Sequence, residues 1–140
     1  MTMTRTAVPT VWPTLLYRDA RAALTFLVDV FGFTERVVHA DGDAVHHAEL
    51  LMTTPEGGVA GGIMLGSATP EGTPDCDTDG ARAGSGSVHV VVTDPDERYA
   101  RAVAAGTTIV REIEDTDYGS RQFVAKDPEG NVWSFGTWYE

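Results

Sequence analysis

The chain has 140 residues, 42% of them apolar and 22% charged, which is the composition of one folded domain and excludes a disordered or collagen-like chain. Ten basic residues stand against 21 acidic ones, a formal charge of −11 that repels phosphate backbones and anionic lipid, so neither nucleic acid nor a membrane surface is an expected partner. No apolar run approaches the ~20 residues of a spanning helix, residues 1–9 lack the apolar stretch of a secretory signal, and the lone Cys76 can close no intrachain disulfide, so the expected compartment is the cytoplasm.

Residues 11–17 read as a short strand. Asp19 then offers a side-chain oxygen to the first free amides of a helix. Ala20, Ala23, Leu24, Leu27 and Phe31 recur at helical spacing, Arg21, Thr25 and Asp29 take the other side, and Gly32 is placed to close the element. Three strand candidates follow at 33–39, 44–52 and 61–67, divided by the turn formers Asp41-Gly42-Asp43 and Pro55-Glu56-Gly57-Gly58. His46 and His47 are adjacent on the middle strand and must project to opposite faces. If His47 is the inward one, Glu49 shares its side and the pair can serve as a base; the plainer alternative is a set of solvent-facing strand polars.

Residues 68–86 are nearly all Gly, Pro, Ser, Thr, Asp and Ala and are expected to form a flexible connector, on which Cys76 reads as an exposed bystander rather than a nucleophile. Then the pattern starts again. Residues 88–92 form a β-branched strand, and Asp94-Pro95-Asp96-Glu97 combines a cap, a proline in the first turn and an early acid. Tyr99, Ala102 and Val103 make the expected buried stripe of the second helix, which Gly106 ends. Strands at 107–113, 121–126 and 131–138 complete the half, the last two joined by Asp127-Pro128-Glu129-Gly130.

The chain is thus an α+β single domain over 1–140, built of two tandem βαβββ modules at about 10–67 and about 87–140 with Asp19 and Asp94 at matching points. One helix covers one face of each half-sheet, so the other face seeks cover, and a cupped mixed sheet around a cavity is the expected outcome. Such a concavity suits a small ligand. No glycine cluster lies between a strand and a helix as a phosphate-binding loop requires, and no nucleophile triad is legible.

These residues carry a resemblance. Tyr17-Arg18-Asp19-Ala20 leading to Phe31-Gly32-Phe33, His47-Ala48-Glu49-Leu50, Val92-Thr93-Asp94-Pro95-Asp96 with Ala104-Ala105-Gly106, and Asp127-Pro128-Glu129-Gly130-Asn131-Val132-Trp133 together resemble the vicinal oxygen chelate superfamily, which includes glyoxalase I, extradiol dioxygenases and bleomycin-resistance proteins. The nearest flavour is glyoxalase-like and bleomycin-resistance-like, with the ending Asp117-Tyr118-Gly119-Ser120-Arg121 and Trp133-Ser134-Phe135-Gly136. The resemblance implies the glyoxalase/bleomycin resistance/dihydroxybiphenyl dioxygenase fold. It also implies, for the family's metalloenzymes, a divalent ion held on the first and last strand of each module, positions that fall here on Trp12, Met64, Ser87 and Ser134. Indole, thioether and neutral hydroxyl do not hold a hard or borderline ion, and His89, on the face of Ser87, adds only one ligand.

The expected ligand-binding residues are therefore Trp12, His47, Met64, His89, Tyr118, Arg121 and Ser134, with no metal and no cofactor. Trp12 offers a flat π-face or else fills core volume. His89, in an apolar strand, is either a satisfied core group or a pocket residue. Tyr118 and Arg121 reach over the cavity mouth, or Arg121 pairs with a surface acid. Trp133 and Phe135 are expected in the core, and Trp138 and Tyr139 at an interface between subunits. The resulting expectation is a metal-independent binding protein, a homodimer that sequesters an antibiotic or similar bulky metabolite, its acid surplus attracting cationic drugs or serving solubility alone. The alternatives are a glyoxalase-like metal-dependent lyase, isomerase or dioxygenase, a metal-free acid-base enzyme using His89, His47 or Glu49, and a partner domain in a biosynthetic pathway.

Overall fold

The computed structural model describes residues 11–42, 44–53, 58–68 and 84–137. Cys76, most of the connector, the turn at 54–57, Trp138 and Tyr139 lie outside the described residues.

Module one runs β1 (Thr14–Tyr17), α1 (Ala20–Asp29), β2 (Thr34–Asp41), β3 (Ala44–Thr53) and β4 (Val59–Ser67), and module two repeats it as β5 (Ser87–Val91), α2 (Pro95–Ala104), β6 (Thr108–Asp115), β7 (Arg121–Lys126) and β8 (Val132–Gly136). The eight strands form two four-stranded mixed sheets of equivalent order, β1-β4-β3-β2 and β5-β8-β7-β6. In each, the first strand pairs parallel to the last and the remaining pairs are antiparallel. The tandem α+β architecture is thus the one the duplication in the sequence predicts.

Local chemistry explains the helix ends. Asp19 accepts from the Ala22 amide at 3.1 Å, as an N-cap should, and the chain leaves α1 through Gly32, whose φ of +83° is a conformation that side chains resist. In α2 the expected cap does not form. The Asp94 carboxylate instead accepts from Arg98 Nε at 2.9 Å, the guanidinium one turn on being a stronger, charged donor than a helix-end amide. Val103 also departs from expectation: it is 50% exposed, and the buried side of α2 is formed by Pro95 and Ala102 with Tyr99 half-buried against Phe123.

Strand alternation sorts each sheet into a covered and an open face. Leu15, Tyr17, Ala48, Leu50, Ile63 and Leu65 pack under α1, and Val90, Phe123, Ala125, Trp133 and Phe135 pack under α2, so that Trp133 and Phe135 are core as expected. The two cores merge. Phe31, at the end of α1, packs on Trp133 and Phe135 with ring centroids 5.3 and 4.8 Å apart, and Phe33 meets Trp133 edge-on. Arg98 and Arg101 of α2 reinforce this junction by donating to the carbonyl oxygens of Phe31 at 3.0 Å and Asp29 at 2.5 Å, two carbonyls near the end of α1 that lack helical partners.

The turn after β7 clasps the modules together. The buried Asp127 carboxylate accepts from the Tyr17 hydroxyl at 2.6 Å, Trp133 Nε1 at 3.0 Å, Asn131 Nδ2 at 2.9 Å and the amides of Glu129 and Asn131. Glu129 reaches back across the boundary and takes the amides of Arg18 and Asp19 at 2.6 and 2.8 Å. The run Asp127-Pro128-Glu129-Gly130-Asn131 is thereby a fastener between repeats, built from charge-assisted bonds in a largely dry setting.

Candidate functional site

Three places hold the residues singled out from the sequence. The first is the open face of the module-one sheet. Register places Thr14, Met64, Glu49 and Val37 in one row across its four strands, and His39 opposite His47 on the same face. His47, not the exposed His46, shares the face of Glu49: its Nε2 lies 2.7 Å from Glu49 Oε2, and Arg36 pairs with the other carboxylate oxygen. The hydrogen bond from His47, seconded by Arg36, holds the Glu49 carboxyl below the usual carboxylate range. His39 stacks on His47 with ring planes 26° apart. Trp12 lies at the end of the same face, its indole against Gly62, where an added Cβ would stand 2.6 Å from the ring.

The second is the open face of the module-two sheet, where His89, Ser134, Val124 and Arg111 form the equivalent row. His89 Nδ1 and Ser134 Oγ are 2.6 Å apart. Tyr118 and Arg121 do not join either group. Tyr118 sits exposed in the turn between β6 and β7, and Arg121 is occupied by Asp96, through Nε and Nη2, and by Asp115 at 3.2 Å. This network holds the Asp96 carboxyl below its ordinary range and keeps the guanidinium protonated. The surface-acid alternative for Arg121 is the one the structure takes.

The third place is a cavity of about 420 Å³ at the seam between modules. Phe33, Ile63 and Val90 form its buried floor, Val11 and the 44%-exposed Val91 its rim, and His89 is the one lining residue of strongly polar type. Of the seven residues singled out from the sequence, only His89 lines it. Sequence reasoning missed the walls because their alternation announces core and nothing more.

The four positions the resemblance assigns to metal ligands hold Trp12, Met64, Ser87 and Ser134, and among the described residues no three His, Cys, Asp or Glu side chains converge as an ion would require. A divalent ion does not fit this donor set.

Comparison with known proteins agrees with the geometry. The sequence profile of the Glyoxalase/Bleomycin resistance protein/Dioxygenase superfamily matches residues 10–135. An uncharacterized protein of Mycobacterium tuberculosis strain H37Rv is 32% identical over 143 aligned positions, covering 96% of this chain and 78% of the relative. Among solved structures, TioX from Micromonospora sp. ML1 superposes with a TM-score of 0.70 at 32% identity, covering 89% of this chain and 94% of TioX. A superfamily member from Sphaerobacter thermophilus shares the fold with a TM-score of 0.68 at 23% identity, over 94% and 98% of the two chains. With duplicated modules, matching profile and matching structures, the chain belongs to the Glyoxalase/Bleomycin resistance protein/Dioxygenase superfamily.

Proposed function

We propose that this chain is a metal-independent small-molecule-binding protein that holds a bulky, mostly apolar metabolite or antibiotic and keeps it from its target. The observation that carries this reading is the seam cavity: its volume of about 420 Å³ lies in the range of small-molecule sites, and its lining is almost wholly apolar. The donor set at Trp12, Met64, Ser87 and Ser134 supports independence from metal, since none of these side chains is a carboxylate or an imidazole. The charge of −11 supports neutral or cationic ligands over anionic ones. The protein acts as a cytoplasmic homodimer in this reading, with the open sheet faces, polar but uncovered within one chain, as the surfaces a second copy adjoins. No helix among the described residues is long and apolar enough to cross a membrane.

Titrating a panel of glycopeptide, enediyne and quinone-type drugs is expected to quench tryptophan emission with micromolar affinity. The Gly61→Leu variant should abolish that response, because Gly61 borders the cavity with open space where its Cβ would stand. A flat response across the panel, or a cation retained stoichiometrically through purification, overturns the reading.

The His47–Glu49 pair favours a second reading, in which the open face of module one performs acid-base chemistry with His47 as the proton acceptor and Glu49 as the group that orients it. A substrate turned over equally well by His47→Gln and the parent protein removes it.

A further inference from the structure

The seam cavity meets strand edges rather than strand faces. Successive side chains of a strand point to opposite faces, yet residues 88–91 of β5 all line it, as do 61–63 of β4, and among the described residues none of β8 does. The cavity therefore runs along the side of β5 that β8 leaves unpaired. The ladder fixes which backbone groups face that side. The Gly86 carbonyl accepts from the Val132 amide at 2.9 Å and the Val92 amide donates to the Gly136 carbonyl at 2.8 Å, so in the unbroken parallel register Val88 and Val90 also turn their backbone groups to β8. The N–H and C=O of His89 and Val91 point the other way, into the seam, and meet no backbone partner among the described residues. Across the gap, the β1–β4 ladder would bring the Gly62 carbonyl a donor from position 13, but Pro13 has no N–H. The edges formed by β2 and β6 are guarded against a further strand: each slips register twice, and they carry Glu35 and Arg36, and Arg111, Glu112 and Glu114. The β5 run Ser-Val-His-Val-Val is regular and has no proline, carboxylate or lysine.

Resting on the binding function proposed above, we infer that the seam cavity takes an uncharged extended peptide that adds to β5 as a strand. The backbone groups of His89 and Val91 pair with its amides, and its apolar side chains meet Phe33, Ile63 and Val90 on the floor. A single strand fits where the edge of a second sheet does not, because Gly61, Ile63 and Pro13 close the far side of the cavity. A carboxylate-bearing ligand is disfavoured, since it would enter apolar walls against a protein of charge −11. A pure hydrocarbon displaces water from the β5 edge and leaves its donors and acceptors unmet, a loss the peptide avoids.

Three probes are titrated calorimetrically into the full chain: acetyl-Val-Thr-Val-methylamide, the same peptide N-methylated at every amide, and 2-ethylnaphthalene, which tests the cavity alone. The peptide is expected to bind about tenfold more tightly than its N-methylated form, the worth of one or two buried hydrogen bonds. Hydrogen exchange adds a test of parity. The His89 and Val91 amides should exchange fast in the free protein and slow by about tenfold with saturating peptide, while those of Val88 and Val90, already bonded to β8, hardly change. Val91→Pro deletes an amide that β8 does not use, and should lose the peptide while keeping the naphthalene; if that variant does not fold, the exchange pattern decides. Gly61→Leu should weaken peptide and naphthalene alike. Equal affinity for the peptide and its N-methylated form, or binding without slowed exchange at His89 and Val91, overturns the inference while the naphthalene keeps the cavity standing. Protection of those two amides in the free protein that grows with protein concentration means a second copy's strand holds the edge, and overturns it too. If neither the peptide nor the naphthalene binds, or Gly61→Leu changes neither, the cavity reading fails with it.

Discussion

The hydroxyl of Tyr17, in the last position of β1, lies 2.6 Å from the carboxylate of Asp127, in the turn before β8, and this bond ties one repeat to the other across the length of the chain. Both groups are buried; the carboxylate gathers four further donors, while Asp127 is the acceptor the Tyr17 hydroxyl uses. Tyr17→Phe should destabilise the protein by about 1.5–3 kcal/mol, the usual worth of a hydrogen bond to a charged group. Urea denaturation measures it. A cost below half a kcal/mol would mean water serves the carboxylate equally well.

The same pair sets an alkaline limit. Burial, the hydrogen bond to Asp127 and its charge raise the Tyr17 phenol well above its ordinary value, so the neutral phenol is the form the fold favours. A group raised on folding contributes stability that is fully present below its unfolded pKa, about 10, and that is lost as pH climbs from there toward the folded value. The urea midpoint should therefore fall more steeply above about pH 10 in the parent than in Tyr17→Phe. Parallel slopes in the two proteins would contradict the assignment.

Glu129 tests whether the clasp is local or global. Glu129→Ala removes the acceptor from the amides of Arg18 and Asp19. Hydrogen exchange at those two amides should accelerate far more than in the centre of β3, with a global cost of about 1–2 kcal/mol. Uniform acceleration through both modules would indicate that the turn governs the whole fold.

Glu49 provides an acid-side signature at the open face of module one. Its carboxyl is held low by His47 first and Arg36 second, so its contribution is present above the unfolded value of about 4.3 and lost as pH falls through the folded one. His47→Gln should move the Glu49 side-chain titration, followed by carbon NMR, toward the ordinary range. The stability cost should remain below about 1 kcal/mol, because the cluster is partly open to water.

Gly62 reports on Trp12. A methyl at position 62 would meet the indole at 2.6 Å and the Leu50 carbonyl oxygen at 2.8 Å, so Gly62→Ala must displace the ring or the strand. The expected result is red-shifted tryptophan emission with about 1–3 kcal/mol of destabilisation. Unchanged emission would show that the strand moves instead.

The element order and the duplication were legible because they rest on period: the helical stripe Ala20, Ala23, Leu24, Leu27 and the alternation in β7 and β8 are local properties that a chain displays before it folds. The pairing of His47 with Glu49 was legible for the same reason, since two residues apart on a strand means one face. Side-chain partners chosen from several nearby candidates were not legible. Asp94 had an amide and a guanidinium within reach, and the guanidinium prevailed; Arg121 had a cavity mouth and two carboxylates, and the carboxylates prevailed.

By itself, then, the sequence determined two βαβββ modules and their covered faces, and its family resemblance put indole, thioether and hydroxyl groups where related metalloenzymes hold their ion. Only the tertiary structure decided that the merged aromatic core and the Asp127 turn fasten the modules together and that an apolar cavity opens at the seam. The physical reason is separation along the chain: Phe33, Ile63 and Val90 share a cavity floor though they belong to segments far apart in sequence, and no periodicity of 2.0 or 3.6 residues records which segment will meet which.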